Sequence, residues 1–231
     1  MLASLDPNMF RDMPLFRDLT DEQLARVGRR LHRQNFPADA HILSVGQPGE
    51  VAYLIQSGTV KIHVEQADGR DVIVSLRGPG ELVGELSLLD SAPRLASAVT
   101  IEPCTMLWID RAAFNECLET IPAIALNLVK ILARRLRVLV TQVQILSTQD
   151  LYGRVAHLLI RLAQESGEPA EHGGRRIPLR LTQSDLASLI GASRPRVNQI
   201  LAFYRERGYI ALDQHYRITI YDMDALAKRA T

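Results

Sequence analysis

Apolar and polar positions alternate in short runs between residues 36 and 110, a pattern typical of β-strands. The clearest runs are residues 51–55, 60–64 and 72–76, and residues 97–109 fit two more strands. Glycines separate the runs, and Asp68-Gly69 is a strong hairpin-turn signal. A short helical pattern opens at Leu19-Thr20-Asp21-Glu22, with Leu24, Val27 and Leu31 on one face. Many short strands at regular spacing predict a small barrel or roll.

The pattern changes to a helix over residues 112–148. Apolar residues there recur at alternating spacings of four and three, from Ala125 to Leu146. β-branched residues at one core position with leucine at the other favour a parallel two-stranded coiled coil. The expected dimer interface consists of Val129, Leu132, Leu136, Leu139, Val143 and Leu146. A helix packed on its own domain would need a similar apolar stripe, so that alternative stays open.

A third segment begins near Asp150 with a helix whose apolar face contains Leu151, Val155, Leu158, Leu159 and Leu162. Residues 166–174 have the composition of a loop. The remainder predicts a helix, a turn, a second helix and then a hairpin. The hairpin strands are residues 209–212 and 216–221, turning at 213–215, and would form a wing.

The two helices have specific boundary signals. Thr182 and Asp185 form a capping box. Gly191 can adopt the left-handed conformation that ends a helix. Ser193 is expected to cap the second helix, and Pro195 is tolerated in its first turn. Small Ala187, four residues before Gly191, and apolar Val197 and Ile200 after it complete the spacing of a helix-turn-helix, whose second helix enters the DNA major groove.

Polar side chains on that second helix match the hydrogen-bonding groups of base edges. Arginine can fork onto guanine, and asparagine or glutamine can pair with adenine. The candidate DNA-binding residues are Thr182, Gln183, Ser193, Arg194, Arg196, Asn198 and Gln199. Arg205 and Arg207 lie further along and fit phosphate contacts or wing supports. The alternative is an ordinary solvated helix face.

Composition and charge exclude several classes of protein. The net charge is +1, with a balance of −2 over residues 1–149 and +3 over residues 150–231. The basic end is compatible with nucleic acid. Two cysteines and six scattered histidines indicate no metal site. We expect no membrane span and no signal peptide, hence a cytoplasmic protein. No arrangement of a nucleophile and a base indicates an enzyme.

Gly84-Glu85 and Arg94, nine residues after Glu85, form a second motif. A cyclic phosphate needs a fixed guanidinium and free backbone N–H groups, and a ribose hydroxyl needs a carboxylate acceptor. Glu85 and Arg94 at the two ends of a short loop can supply both. A surface Glu–Arg pair over a turn would show the same spacing.

With these motifs the chain resembles the CRP/FNR family of transcription regulators from about Leu15 to Ala227. The residues that carry the resemblance run from Gly84 to Ala96 and from Gly191 to Val197. The resemblance implies an α+β fold: an N-terminal β-roll of the cyclic-nucleotide-binding type, a long dimerisation helix and a C-terminal winged helix-turn-helix. We expect these over residues 1–120, 121–149 and 150–231.

The resemblance also implies functional roles. Glu85 would hold the ribose 2′-hydroxyl of a cyclic nucleotide, and Arg94 with backbone N–H groups its phosphate. Arg135 falls where the family has a dimer-helix arginine near the ligand. The implied ligand-binding residues are Gly84, Glu85, Leu86, Arg94, Leu95, Ala96 and Arg135. The implied partners are a second copy of the chain, a pseudo-palindromic double-stranded DNA operator and RNA polymerase.

Several positions depart from the cAMP-responsive members. Leu95 replaces the hydroxyl residue after the phosphate arginine, and Leu139 and Val140 replace a Thr-Ser pair that contacts adenine. This makes cAMP a doubtful effector. Two cysteines cannot hold the four-thiolate iron–sulfur cluster of the oxygen-sensing branch. Pro195 replaces a base-reading glutamate. A ligand-independent regulator, and a nucleotide-binding regulatory subunit without DNA binding, remain the alternatives.

Overall fold

The computed structural model describes residues 5–66, 71–171, 173–179, 181–214 and 217–230. The chain divides into two compact units, residues 1–137 and 138–231. The division falls inside a long helix, so the predicted boundaries after residues 120 and 149 stay predictions.

The first unit is built on two antiparallel sheets. Its strands are β1 His32–Phe36, β2 His41–Leu43, β3 Val51–Ser57, β4 Val60–Glu65, β5 Asp71–Arg77, β6 Leu82–Val83, β7 Ser97–Thr100 and β8 Cys104–Asp110. One sheet has the order β1-β8-β3-β6 and the other β2-β7-β4-β5. The predicted roll of short strands is confirmed. The turn expected at Asp68-Gly69 lies outside the described residues.

Strand alternation buries both faces of the first sheet. On β8, Leu107 and Ile109 enter one apolar cluster, whereas Cys104 and Met106 enter another. This is the two-residue period of an extended chain. Trp108, the only tryptophan of the sequence, lies on β8 opposite Tyr53 of β3, and its ring is 4.3 Å from that of His32.

The helices of the first unit pack against the first of these clusters. They are α1 Asp21–Gly28, α2 Leu86–Leu89, α3 Arg111–Thr120 and α4 Pro122–Thr148, which continues into the second unit. α1 begins with a capping box between Thr20 and Gln23. Leu31 lies beyond the end of α1 but is still buried.

The single helical stretch predicted over residues 112–148 is wrong in one respect, because it is two helices. Ile121 separates α3 from α4, with φ −129° and ψ 83°. A residue before proline is pushed out of the helical region, and Pro122 can then open a helix because its first turn needs no N–H. The apolar stripe hides the break because Ile121 is itself buried.

The second unit combines helices with a small sheet. Its further elements are α5 Leu151–Ser166, β9 Glu168–Pro169, β10 Arg175–Ile177, α6 Gln183–Ile190, α7 Arg194–Glu206, β11 Ile210–Leu212, β12 Ile218–Ile220 and α8 Met223–Arg229. The sheet order is β11-β12-β10-β9. The predicted hairpin is β11–β12, although its residues His215 and Tyr216 lie outside the described residues.

Two strands of this sheet were missed by the sequence pattern. The segment 166–174, predicted as a loop, contains β9, and β10 follows it directly. β9 has two residues and β10 three, too few for a visible alternation. The hairpin is therefore part of a four-stranded wing sheet.

Candidate ligand and DNA sites

The motif that contains Glu85 and Arg94 folds into a tight loop at the end of β6. Gly84 has φ +85°, and a Cβ there would lie 2.8 Å from both Arg94 Nη1 and Leu43 Cδ1. Glu85 precedes α2, and the chain returns through Arg94 to β7. Only glycine fits at position 84, because the guanidinium occupies the space of a side chain.

Arg94 is a buried cation held by neutral groups. Its side chain donates to the carbonyl oxygens of Gly84 and Val51, the latter at 2.5 Å. The residue is 5% exposed. Within the described ranges it forms no salt bridge, although buried charges are normally paired. Burial lowers the pKa of the Arg94 guanidinium, and the nearby Tyr53 hydroxyl acts in the opposite direction.

Glu85 is buried beside Arg94 and paired with a different arginine. The residue is 3% exposed, and its Oε1 accepts from Arg135 Nη1 of α4 at 2.5 Å. Arg135 Nη2 donates to the Leu82 carbonyl at 2.5 Å. Burial lowers the pKa of Arg135, whereas Glu85 raises it. The structure therefore brings together Gly84, Glu85, Arg94 and Arg135.

The remaining residues of the predicted ligand set lie at the margin. Leu95 is 74% exposed and Leu86 is 42% exposed, while Ala96 is half-buried. The large exposed apolar side chain of Leu95, directly after the buried arginine, is available to contact a ligand.

The sequence pattern missed two contributors to this loop. Arg111, the first residue of α3, donates to the Gly49 and Ser87 carbonyls and to Ser91 Oγ. Tyr53, on β3, acts on the charge of Arg94. Arg111 follows the cap residue Asp110, a signal that predicts a helix start but not contacts that span 62 residues.

The helix-turn-helix has the boundaries that its sequence predicts. Thr182 Oγ1 accepts from Asp185 N at 3.1 Å, and Asp185 Oδ2 accepts from Thr182 N at 2.9 Å. Gly191 ends α6 with φ 70°. Ala187, Val197 and Ile200 are buried. These elements fix α7 against α6.

The expected cap of α7 is wrong in its chemistry. Ser193 occupies the cap position, but its side chain accepts no hydrogen bond from the helix. Pro195 in the first turn removes one N–H that a cap would otherwise satisfy. The Ser193 hydroxyl is consequently not committed to the helix.

The predicted reading residues of α7 differ in accessibility. Arg194, Arg196 and Gln199 are exposed, whereas Asn198 is half-buried and its Oδ1 is a buried atom without a hydrogen-bond partner among the described residues. Gln183 is half-buried near the start of α6. Arg205 is exposed at the end of α7, and Arg207 follows it with its guanidinium 3.7 Å from the centroid of the Phe203 ring.

Most heptad positions of α4 lie outside the face that packs on the first unit. Ile124, Asn127 and Leu128 are buried, and Asn127 Nδ2 donates to the Leu15 and Arg17 carbonyls. The heptad residues Val129, Leu136 and Val143 are 61%, 63% and 63% exposed. Leu139 and Leu146 are also exposed, whereas Leu132 is half-buried and packs against the core of the first unit. The face that packs on the first unit therefore shares Leu132 with the heptad positions and otherwise differs from them.

Two further kinds of site are absent from the described part of the chain. It holds no group of three or more histidine, cysteine, aspartate or glutamate residues arranged to bind a metal ion. Nor is any helix there both long and apolar enough to cross a membrane.

The sensor-like roll and the helix-turn-helix define a class, a DNA-binding transcription regulator with a cyclic nucleotide-binding domain. The family described as "Cyclic nucleotide-binding domain" matches residues 33–121, and "Crp-like helix-turn-helix domain" matches residues 153–229. The chain belongs to the CRP/FNR family of transcription regulators.

Named relatives agree over nearly the full chain. A CRP-like cAMP-activated global transcriptional regulator of Mycobacterium tuberculosis is 37% identical over 94% of this chain and 96% of its own length. The cyclic AMP receptor protein of Thermus thermophilus is 33% identical over 86% and 88%. The crystal structure of a CRP/FNR-family transcriptional regulator, also from Thermus thermophilus, matches with TM-score 0.70 and 25% identity over 86% and 98%.

Proposed function

We propose that this regulator binds a cyclic nucleotide in its roll and that the bound nucleotide controls DNA binding by α7. Arg94 holds the cyclic phosphate and Glu85 the ribose 2′-hydroxyl. The observation that carries this proposal is the burial of the Arg94 guanidinium without a salt-bridge partner among the described residues.

A buried cation held only by carbonyl groups is expensive. An anion that enters the loop supplies the missing charge and makes charge-assisted hydrogen bonds, which are the stronger kind. The monoanionic phosphate of a cyclic nucleotide matches the single charge of Arg94. The fixed position of Gly84 keeps the guanidinium in place before the ligand arrives, so little ordering is left for the binding step.

Glu85 connects the same ligand to α4. Its carboxylate already accepts from Arg135, and the remaining lone pairs of a carboxylate can accept a hydroxyl as well. A ribose hydroxyl at Glu85 would therefore act on a residue of the long helix. A ligand that interacts differently with two arrangements of this ion pair shifts the population between them.

The base is not selected in the manner of the cAMP-responsive members. The relatives at 37% and 33% identity are named for cAMP. In this chain Leu95, Leu139 and Val140 offer no hydroxyl to adenine, so we propose a cyclic nucleotide effector and leave cAMP as one candidate among several.

The symmetry of the proposed dimer determines the symmetry and the half-site spacing of the DNA operator. Two copies joined through the exposed heptad positions of α4 would present two α7 helices related by a two-fold axis. Such a dimer reads a pseudo-palindrome with half-site centres about 10 base pairs apart. Arg194, Arg196, Asn198 and Gln199 would read base edges, supported by Thr182, Gln183 and Ser193. RNA polymerase is the expected protein partner at the promoter.

A charge-insertion experiment tests the dimer. Leu136→Glu with Leu139→Glu places four carboxylates per dimer at exposed heptad positions of the proposed apolar seam, which costs more than the seam gains. We expect monomers by sedimentation and weak operator binding. Lys130→Glu with Arg134→Glu, on exposed polar positions of the same helix, is the matched control and should remain dimeric. A tight dimer of the first variant would refute the seam.

Calorimetry and operator binding test the gating. The wild type, Arg94→Gln and the surface control Arg11→Gln are titrated with cAMP, cGMP and cyclic di-GMP, and operator affinity is measured with and without each. We expect wild type and control to bind at least one nucleotide and to change operator affinity, and Arg94→Gln to lose both responses. Strong operator binding without binding of any nucleotide would favour a ligand-independent regulator.

A further inference from the structure

A second ion pair stands next to the proposed phosphate and ribose groups. Arg77, the last residue of β5, donates through Nη1 to Glu81 Oε1 at 2.9 Å, and Glu81 Oε2 accepts from Gly78 N at 2.9 Å. Glu81 directly precedes Leu82, whose carbonyl oxygen accepts from Arg135. The turn between β5 and β6 thus places Arg77 and Glu81 beside the Glu85–Arg135 pair.

The two pairs also act on each other electrostatically. After burial and Glu85, the charges that act on the pKa of Arg135 are those of Arg77, which lowers it, and Glu81, which raises it. Both side chains of the Arg77–Glu81 pair keep partial exposure, at 21% and 38%. The pair therefore borders the buried floor of the site and is itself accessible.

Hydrogen-bond donors remain open on this border. In the described part of the chain, Glu81 is the one side-chain partner of the Arg77 guanidinium, which carries five N–H groups. Arg135 Nε is buried without any partner among those residues. A buried N–H that lacks an acceptor is costly, so an acceptor on the ligand would satisfy it.

We propose that Arg77, oriented by Glu81, makes this site select a guanine base over adenine. The inference rests on the proposed binding of a cyclic nucleotide. Guanine presents two adjacent acceptors, O6 and N7, which match the fork of a guanidinium. Adenine presents an amino donor at the corresponding position, which would leave arginine donors facing another donor. Glu81 is a positioning residue, because it fixes the guanidinium through Nη1 and leaves the fork formed by Nε and Nη2 to a base.

The same chemistry fits cGMP and a cyclic dinucleotide of guanine, and the experiment separates them. Calorimetry on the full chain measures the dissociation constants of cGMP, cyclic di-GMP and cAMP. We expect wild type to bind one of the guanine nucleotides about 10-fold tighter than cAMP, the discrimination typical of one bidentate base contact. Whichever guanine nucleotide binds more tightly identifies the source of the base.

Three variants identify the residue responsible. Arg77→Leu should bring the guanine-to-adenine ratio close to one while cAMP affinity changes little. Arg77→Lys keeps the charge but cannot fork, so it should lose the ratio as well. Glu81→Gln should reduce the ratio partly. Arg11→Leu removes an arginine from a more exposed ion pair, with Asp21, and should keep the wild-type ratio.

The possible results distinguish a role of Arg77 in selecting the base from a role in stabilising the loop. A wild type that binds cyclic nucleotides without preferring guanine overturns this inference but leaves the proposed function intact. Arg77→Leu with equal losses for guanine and adenine nucleotides also overturns it, because Arg77 would then only support the loop. A wild type that binds no cyclic nucleotide overturns the proposed function itself, and the inference with it.

Discussion

The two units use arginine in opposite ways. In the first unit, Arg94 and Arg135 are largely removed from water, and each has fixed hydrogen-bond partners. In the second, Arg194 and Arg196 are exposed on α7. A pocket for one small anion profits from a guanidinium that is already in place. A DNA surface needs solvated cations that adjust to phosphates and base edges and exchange them quickly.

The effect of removing an arginine should therefore depend on whether its side chain is buried or exposed. Removing a buried one disturbs the fold of its own unit, because its partners are left without donors or charge. Removing an exposed one that packs on no neighbouring side chain leaves the stability unchanged within about 0.5 kcal/mol and acts only when DNA is bound.

The largest effect is expected at the buried ion pair. Arg135→Met leaves the Glu85 carboxylate buried without its charge partner, and we expect a loss of about 3 kcal/mol in the free energy of unfolding. Urea unfolding measures it. Arg196→Met, the same change on the exposed helix, should be nearly neutral. Equal losses for both variants would remove the distinction between the two kinds of arginine.

Stabilisation by a bound nucleotide should depend on the buried Arg94 and not on the exposed Arg194. At a nucleotide concentration about 100 times its dissociation constant, mass action stabilises the wild type by about 2.7 kcal/mol. Arg94→Gln should gain nothing from the nucleotide, whereas Arg194→Ala should gain as much as the wild type. Thermal unfolding with and without nucleotide provides the comparison, and a stabilised Arg94→Gln protein would argue against Arg94 as the phosphate ligand.

On the DNA side, Arg194→Ala should weaken binding by about 1–3 kcal/mol per half-site and relax preference at one base pair. Arg205→Ala should instead weaken all sequences alike and reduce the slope of affinity against salt. Binding of single-base operator variants, selected first from random duplexes, distinguishes the two. A uniform loss with Arg194→Ala would mean that Arg194 does not read sequence.

The smallest effect concerns Arg207, whose guanidinium stacks on Phe203. Arg207→Ala should cost about 0.5–1 kcal/mol of stability through the lost cation–π contact and leave the salt slope unchanged. Urea unfolding and salt titrations together measure this. A reduced slope of DNA affinity against salt would indicate instead that Arg207 contacts a phosphate.

Elements with local signals could be predicted from the sequence. The capping box at Thr182, the left-handed Gly191 and the buried Val197 predict the start, the turn and the packing of the helix-turn-helix, and all three were found as expected. The strands of the roll followed from alternation. The break at Ile121 did not, because a buried residue between two helices keeps the same apolar period.

Contacts between distant residues could not be derived in this way. The spacing of Glu85 and Arg94 indicates an anion site, and the family resemblance implies that Arg135 lies near the ligand. Neither predicts that Arg135, 50 residues away, pairs with Glu85. Arg77 and Glu81 were overlooked because an arginine and a glutamate four residues apart around a glycine-rich turn resemble an ordinary surface pair. Only the position of that turn next to Leu82 gives them a role.

The position of Trp108 in the sheet makes it a fluorescent reporter of the first unit. It lies opposite Tyr53, whose hydroxyl acts on Arg94, and its ring is in contact with that of His32. Because the sequence contains no other tryptophan, its fluorescence comes from a single place in the first unit. Emission spectra of the unlabelled protein can therefore follow the first unit during a titration, separately from events at α7.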